Sequence, residues 1–175
     1  ITPDCVLHIH TGVGNLGTFS HSSTSRIAAE VLKVDWENCV IERGDSRKHL
    51  PWNNGQFGSN TNFTMGRTNF VAATDALEKL KAIAALRLGG TAVDYDVDGR
   101  RVFRKGRPAA GMSYGEAAQR AIQLGGRYDG HELPADLNGI TKASVTALAG
   151  TGLIGVGKDT LPRVGEVGTF AAGFI

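Results

Sequence analysis

The sequence predicts an α+β fold: a small mixed sheet packed by two main helices, with a β-hairpin insertion and an irregular C-terminal region. Three observations support this prediction. The chain begins with a strand-like segment, a glycine-rich turn, an amphipathic helix and a second strand. A long segment with helical periodicity follows, and after it comes an alternating segment with a favoured turn. We expect residues 1–175 to form one domain.

Length and charge narrow the classes of function. The chain has 175 residues, which suits one domain, and a formal net charge of +2. The near-neutral charge argues against nucleic-acid binding. No apolar run approaches the ~20 residues of a membrane span, and no signal peptide is recognisable. Because the chain starts at Ile1 instead of Met, we expect a processed product or a piece of a longer polypeptide.

The first predicted unit is strand, loop, helix, strand. Residues Val6–Thr11 alternate and are rich in β-formers, and the glycine-rich turn Gly12–Gly17 follows. Residues Ser20–Lys33 have an apolar stripe typical of a helix, and Cys39–Arg43 form the second strand. Four hydroxyl residues are available as helix N-caps: Ser20, Ser22, Ser23 and Thr24.

The second unit is a polar loop over residues 44–62 and a long helix. Loops of that length in a compact domain are usually functional. We expect the helix to span Phe63–Leu88 and to end at Gly89-Gly90. Its predicted buried side consists of Phe70, Ala73, Leu77, Leu80, Ala84 and Leu88.

The rest of the chain is predicted to be more irregular. Residues Val93–Arg104 indicate a hairpin that turns at Asp98-Gly99. Ser113–Leu124 has the capping-box pattern of a short helix, with Glu116 three residues after Ser113. We expect residues 127–168 to be loop-rich and Thr169–Ile175 to form a last strand.

Residues 150–159, "GTGLIGVGKD", contain two overlapping phosphate-binding patterns, G-x-G-x-x-G and G-x-x-x-x-G-K. A P-loop needs Ser or Thr after its Lys and then a helix. Here Asp159 follows Lys158, and Pro162 and Gly165 prevent a long helix. We therefore interpret this segment as a surface loop that binds no nucleotide.

The charged hairpin gives no metal or nucleic-acid site. Asp94, Asp96 and Asp98 resemble the start of an EF-hand calcium loop. Such a loop needs a bidentate Glu at its twelfth position, which in this chain is Lys105. The basic residues around the hairpin lack interleaved aromatics and indicate a solvated face or a subunit contact: Arg100, Arg101, Arg104, Lys105 and Arg107.

Histidines and cysteines are interpreted as structural. His8 and His10 project from one face of the first strand, without a Cys or carboxylate at ligand spacing. Partly buried, hydrogen-bonded histidines are the simpler interpretation. Cys5 and Cys39 are expected to be buried free thiols.

Two stretches could bind an anion. In each, glycines lead into a helix that begins with small hydroxyl residues, so free amides and the helix dipole would favour a phosphate. The first is "HTGVGNLGTFSHSSTS" and the second is "NNGQFGSNTNFTMGRT". Together they could hold one elongated phosphorylated ligand.

The first of these stretches resembles the molybdopterin-binding subunit of the xanthine oxidase family of molybdenum hydroxylases. That family has T-G, a glycine loop and a helix with A-A-E-x-L, here Ala28–Leu32. A G-D-[ST] landmark, a Pro and a G-S-x-[ST] loop follow, here Gly44–Ser46, Pro51 and Gly58–Thr61. The final "GTFAAGFI" is similar to a later strand of the subunit. The likeness covers residues 5–88 well, the end loosely and residues 90–165 little.

The resemblance implies a molybdopterin site held by hydrogen bonds. The implied cofactor-binding residues are Gly17, Thr18, Phe19, Gln56, Phe57, Gly58, Ser59 and Thr61. Phe174 lies on a strand that also approaches the pterin in members of the family. Many members have Gln-Gly where this chain has Thr18-Phe19; Thr18 can still hydrogen-bond, but Phe19 adds bulk where a glycine is common. The family's general base, a Glu in a glycine-rich segment, has no counterpart. Glu166 stands in the wrong place, so we expect no catalytic residue here and no activity from this chain alone.

The implied reaction is hydroxylation of an aldehyde or an N-heterocycle with oxygen from water, carried out by the cofactor. The cofactor would be molybdopterin with molybdenum, alone or as a dinucleotide. Implied partners are the remaining segments of the molybdenum subunit, an iron–sulfur subunit with its clusters, and a flavin or cytochrome electron acceptor. A cytoplasmic location is expected, with the periplasm as the alternative.

Two other interpretations stay open. One is a non-catalytic assembly module that has kept the fold and lost the cofactor, which Thr18-Phe19 would support. The other is an unrelated α/β enzyme that binds a phosphorylated ligand at a helix N-terminus.

Overall fold

The fold follows from a computed structural model that describes residues 1–58 and 60–158. Within them the strands form a two-stranded parallel sheet and a three-stranded antiparallel sheet, which confirms the α+β class. The elements are β1 (Leu7–His10), α1 (Ser20–Leu32), β2 (Cys39–Glu42), α2 (Asn60–Leu88), β3 (Tyr95–Asp98), β4 (Arg101–Arg104), β5 (Arg107–Ser113), α3 (Tyr114–Leu124) and α4 (Gly139–Leu148).

The predicted first unit is confirmed. Strands β1 and β2 pair in parallel, with Leu7 opposite Cys39, and α1 connects them. Leu7 and Ile9 are buried in the core, whereas the alternating His8 and His10 are half-buried. This alternation is what a period of two produces along a strand.

Helix α2 begins three residues earlier than predicted and buries a slightly different face. Phe70 and Leu88 were predicted to be buried, but they are 47% and 38% exposed. The buried face includes Gly66 and Asn69. Because neither residue has an apolar side chain, the pattern of apolar residues does not indicate this face. A Cβ on Gly66 would lie 3.1 Å from Ile27 Cδ1, so α1 packs closely there.

The hairpin turns one residue later than predicted. Its two turn residues are Gly99 and Arg100, both with positive φ, and Asp98 pairs with Arg101. Strand β5 was not predicted, because "RPAAGMS" contains Pro and Gly and lacks strong β-formers. Pairing with β4 makes this segment a strand.

The prediction that residues 127–168 are irregular is wrong for the ten residues of α4. Its sequence is rich in Thr, Ser and Val, which weaken the helical signal. Asn138 caps this helix by accepting a hydrogen bond from the Thr141 amide at 2.9 Å. The predicted strand Thr169–Ile175 lies outside the described residues.

The glycine-rich segment 150–158 is not a surface loop. Leu153 is 1% exposed, and a Cβ on Gly155 would overlap the carbonyl oxygen of Ala72 in α2. The buried Lys79 ammonium donates to the Ile154 carbonyl at 2.7 Å and to Asp75 at 2.6 Å. The glycines of this segment therefore allow the backbone to lie against α2.

One core cluster joins β1, α1, α2, the antiparallel sheet, α3 and Leu153. Cys5 and Cys39 are free thiols, as predicted, but each is half-buried. None of the helices in the described part of the chain is both long and apolar enough to cross a bilayer.

Candidate functional site

An asparagine side chain shapes the first glycine loop. Asn15 Oδ1 accepts hydrogen bonds from the amides of Gly17, at 3.0 Å, and Phe19, at 3.2 Å. Phe19, in the left-handed conformation with φ of 53°, is the N-cap of α1 in place of the predicted Ser or Thr. The sequence analysis missed Asn15, although Asn favours such side chain–backbone turns.

The start of α1 presents hydroxyl groups. Thr18 and Ser20 are hydrogen-bonded through their hydroxyls at 2.6 Å on the surface. The first turn of this helix contains no acidic residue. An anion near this helix end would therefore meet a favourable dipole and no carboxylate in that turn.

Asparagines also shape the second glycine loop. Asn53 Oδ1 accepts from the Gly55 amide at 2.8 Å, and Asn60 Oδ1 accepts from the Phe57 amide at 3.1 Å. Phe57 is 59% exposed, and Gly58 is exposed with a φ of 54°. The predicted site residue Ser59 lies outside the described residues.

The two loops meet. Gln56 Nε2 donates to the Gly14 carbonyl at 2.9 Å, and a Cβ on Gly12 would lie 2.5 Å from the Pro51 carbonyl oxygen. We call residues 14–19 and 56–58 the loop junction. It contains six of the eight predicted site residues: Gly17, Thr18, Phe19, Gln56, Phe57 and Gly58. Thr61 is not part of the loop junction. Its side chain is only 7% exposed and lines the cavity described below.

One buried polar atom of the junction, Gln56 Oε1, lacks a partner among the described residues. Three more lie outside the junction: His21 Nδ1 in the first turn of α1, Ser25 Oγ and His10 Nδ1. Burial lowers the pKa of the His21 imidazole, and the charge of Arg43 lowers it further. Because unsatisfied buried polar atoms are uncommon, the Gln56 oxygen points to a junction that is completed by a further polar group.

A cavity of about 740 Å³ lies between β1, α2, α4 and the glycine-rich segment. We call it the β1 cavity. Its lining is mainly apolar, which does not suit a phosphate. The hydroxyls and the helix end of the loop junction suit an anion better than this cavity does.

The interpretation of the strand histidines as hydrogen-bonded holds for His8, which lies beside Glu42 at the end of the parallel sheet, but His10 Nδ1 is buried and has no partner among the described residues. Glu42 accepts from Lys48 Nζ at 2.7 Å and lies 3.4 Å from His8 Nδ1. The hydrogen bond from Lys48 holds the pKa of the Glu42 carboxyl below its usual value. Burial lowers the pKa of His10. Across residues 1–58 and 60–158, no three His, Cys, Asp or Glu side chains are arranged to hold a metal ion.

Comparisons with known proteins extend this description. The model of the molybdopterin cofactor-binding domain family matches residues 1–160. Quinoline 2-oxidoreductase from Pseudomonas putida 86 has a similar fold, with a TM-score of 0.59 and 23% identity over 79% of this chain.

Two structures of CO dehydrogenase are also similar. The Cu,Mo-CO dehydrogenase in its carbon monoxide-reduced state has a TM-score of 0.54 and 27% identity over 63% of this chain. Reconstituted CO dehydrogenase from Oligotropha carboxidovorans has a TM-score of 0.54 and 26% identity over 65% of this chain. The alignments span 17%, 14% and 15% of the three matched chains. This chain therefore belongs to the molybdopterin cofactor-binding domain family, and its resemblance to the xanthine oxidase family of molybdenum hydroxylases is confirmed.

Proposed function

We propose that this chain contributes the loop junction to the cofactor site of a molybdopterin-dependent oxidoreductase, and that other segments complete the enzyme. The observation that carries the proposal is the hydrogen bond from Gln56 to the Gly14 carbonyl. It joins two glycine loops, each of which leads into a helix, at one surface. When bound, the cofactor supplies the oxidation that adds a water-derived oxygen to the substrate.

In this proposal the chain's own residues bind and orient the pterin. Thr18 and Ser20 offer exposed hydroxyls, and the N-terminus of α1 favours a phosphate. The exposed rings of Phe19 and Phe57 offer apolar surface to a flat ring system. Ser59 stays a proposed member of this site, whereas Thr61, which is buried and lines the β1 cavity, is left out of it. Asn15 holds the first loop in shape by binding two of its amides.

We propose aldehydes or N-heterocycles as the substrate class. Support comes from the family and from one similar structure, which is named as an oxidoreductase of quinoline, an N-heterocycle. The proposed partners are the remaining segments of the molybdenum subunit, an iron–sulfur subunit, and a flavin or cytochrome acceptor. The pterin would be bound alone or as a dinucleotide.

Cofactor content of the purified native complex tests the proposal. We expect about one molybdenum per copy and an extractable pterin. Replacing Gln56 by Ala or Glu removes the amide donor to Gly14, and we expect it to lower molybdenum content severalfold. Gln119→Ala, at an exposed position on α3, is the matched control and should leave the content unchanged.

Other results would replace the proposal. A folded complex without molybdenum would identify a non-catalytic assembly module. The binding of two loop amides by Asn15, which leaves fewer donors for a ligand, agrees with that alternative. A phosphorylated ligand recovered without molybdenum would identify an unrelated enzyme.

A further inference from the structure

Two asparagines of this chain are followed directly by glycine. Asn54-Gly55 lies in the second glycine loop, and Asn138-Gly139 lies at the start of α4. Both asparagines and both glycines are exposed. An asparagine before glycine can react with its own backbone, because glycine has no Cβ to obstruct the approach to its amide nitrogen. The two pairs therefore have the same local chemistry and the same access to water.

The reaction in question is deamidation. The glycine amide nitrogen attacks the side-chain carbonyl carbon, Cγ, of the asparagine and forms a new C–N bond that closes a succinimide ring. The side-chain nitrogen leaves as ammonia and takes the proton of the backbone amide. Water then opens the ring on either side of its nitrogen, and the product is aspartate or isoaspartate. Solvent supplies the water, and no oxidant or cofactor is needed.

Hydrogen bonds hold the side chain of Asn138 away from this reaction. Its Oδ1 accepts from the Thr141 amide at 2.9 Å, and its Nδ2 donates to the Thr141 hydroxyl at 2.9 Å. Both hydrogen bonds must break, and α4 must lose its N-cap, before Cγ can reach the Gly139 nitrogen. The capping geometry therefore protects an asparagine that is exposed to solvent.

The side chain of Asn54 is not held in this way. It lies in an irregular segment and makes no hydrogen bond within residues 1–58 and 60–158. The Gly55 amide donates one exposed hydrogen bond, to Asn53 Oδ1 at 2.8 Å. That bond restrains the attacking nitrogen but leaves the Asn54 carbonyl carbon free. One exposed hydrogen bond therefore opposes deamidation at Asn54, whereas two hydrogen bonds and a helix cap oppose it at Asn138.

We propose that Asn54 is a deamidation site of the folded protein and that Asn138 is protected. The product places a carboxylate two residues before Gln56, whose side-chain amide connects the two glycine loops. Isoaspartate also lengthens the backbone by a methylene group, which displaces Gln56 from the Gly14 carbonyl. The inference concerns the ageing of this loop, and it does not depend on the proposed cofactor.

Incubation of the 175-residue chain at mildly alkaline pH, followed by peptide mass spectrometry, tests the proposal. Fragmentation of each peptide identifies the residue whose amide has become an acid. Because Asn138 has the additional hydrogen bonds to break, Asn54 should react at least about tenfold faster in the folded chain. In the urea-unfolded chain the two rates should differ by less than about threefold, because only the local sequence then distinguishes the two sites.

Comparable rates at Asn54 and Asn138 in the folded chain would overturn the proposal. An increase in urea that is as large at Asn54 as at Asn138 would also overturn it, because the fold would then protect both sites. Asn54→Gln disfavours ring closure and should abolish the fast modification, and persistence of that modification would refute the assignment. In the modified chain, the NMR signal of the Gln56 side-chain amide should move toward that of a solvated amide. An unmoved signal would refute the effect on the loop contact.

Discussion

Single glycines decide how closely the backbone of residues 150–158 can approach α2 and the N-terminal residue Ile1. A Cβ on Gly152 would overlap the Ile1 carbonyl oxygen, and one on Gly157 would lie 2.5 Å from the Ala72 nitrogen. Gly155 is equally restricted, by the Ala72 carbonyl oxygen. The glycine spacing that resembles a phosphate-binding motif is therefore explained by packing, which needs positions without side chains.

Gly155→Ala should destabilise the fold. The added methyl meets backbone that cannot rotate away, and overpacking of this kind costs about 1–3 kcal/mol. Urea denaturation measures the difference. Gly139→Ala is the matched control, because a Cβ there has no atom within 4 Å; at the first residue of α4 it should leave stability unchanged or raise it by up to about 1 kcal/mol. Equal stability of both variants would contradict the packing explanation.

Caps position the secondary-structure elements. Ser113 Oγ accepts from the Glu116 amide at 3.1 Å, and the Glu116 carboxylate accepts from the Ser113 amide at 2.7 Å. This capping box, predicted from the sequence, starts α3 where β5 ends. The hydrogen bond from the Ser113 amide lowers the pKa of Glu116.

Ser113→Ala should lower the free energy of unfolding by about 0.5–2 kcal/mol, because an amide of the first turn loses its acceptor. Ser113→Thr retains the hydroxyl and serves as the control. The Glu116 contribution has its own pH dependence. Since its folded pKa lies below the ordinary value of 4.5, that stabilisation is present above pH 4.5 and is lost on further acidification. Measuring the free energy of unfolding at pH 7 and below pH 4 separates the contribution of the Ser113 hydroxyl from that of the Glu116 carboxylate.

Long-range hydrogen bonds connect the molecule as a whole. The hydroxyl of Tyr114, fully buried at the start of α3, donates to the Leu32 carbonyl at the end of α1 at 2.6 Å. Burial raises the pKa of this phenol, so it remains a donor at neutral pH. The Lys79 ammonium on α2 likewise donates a long-range hydrogen bond to the Ile154 carbonyl.

Tyr114→Phe should destabilise the whole domain by about 1–3 kcal/mol, because a buried carbonyl loses its donor while the ring still fills its space. A single cooperative transition with a lower midpoint is the expected denaturation curve. Tyr128→Phe is the control, since the Tyr128 hydroxyl has no hydrogen bond within residues 1–58 and 60–158. A change of less than 0.5 kcal/mol in Tyr114→Phe would refute the bridging role, on the ~1 kcal/mol scale of ordinary hydrogen bonds.

The sequence predicted the two glycine loops of the candidate site but not the contact that brings them together. The glycine loops, the helices after them and the resemblance over residues 5–88 pointed to the same stretches that the loop junction contains. Asn15 and the contact between Gln56 and Gly14 were missed. Residues 42 positions apart leave no local pattern when they meet, because such a contact depends on how α1 and α2 pack.

The sequence alone determined the local elements: β1, β2, α1, most of α2 and the capped start of α3. In each of these, periodicity, turn residues or a cap act over a few neighbouring residues. Only the tertiary structure decided that α2 buries Gly66 and Asn69 instead of Phe70, that β5 becomes a strand, and that the second glycine motif lies against Ala72. These outcomes depend on the free energy of contacts between distant segments, which can outweigh the weaker preference of each segment by itself.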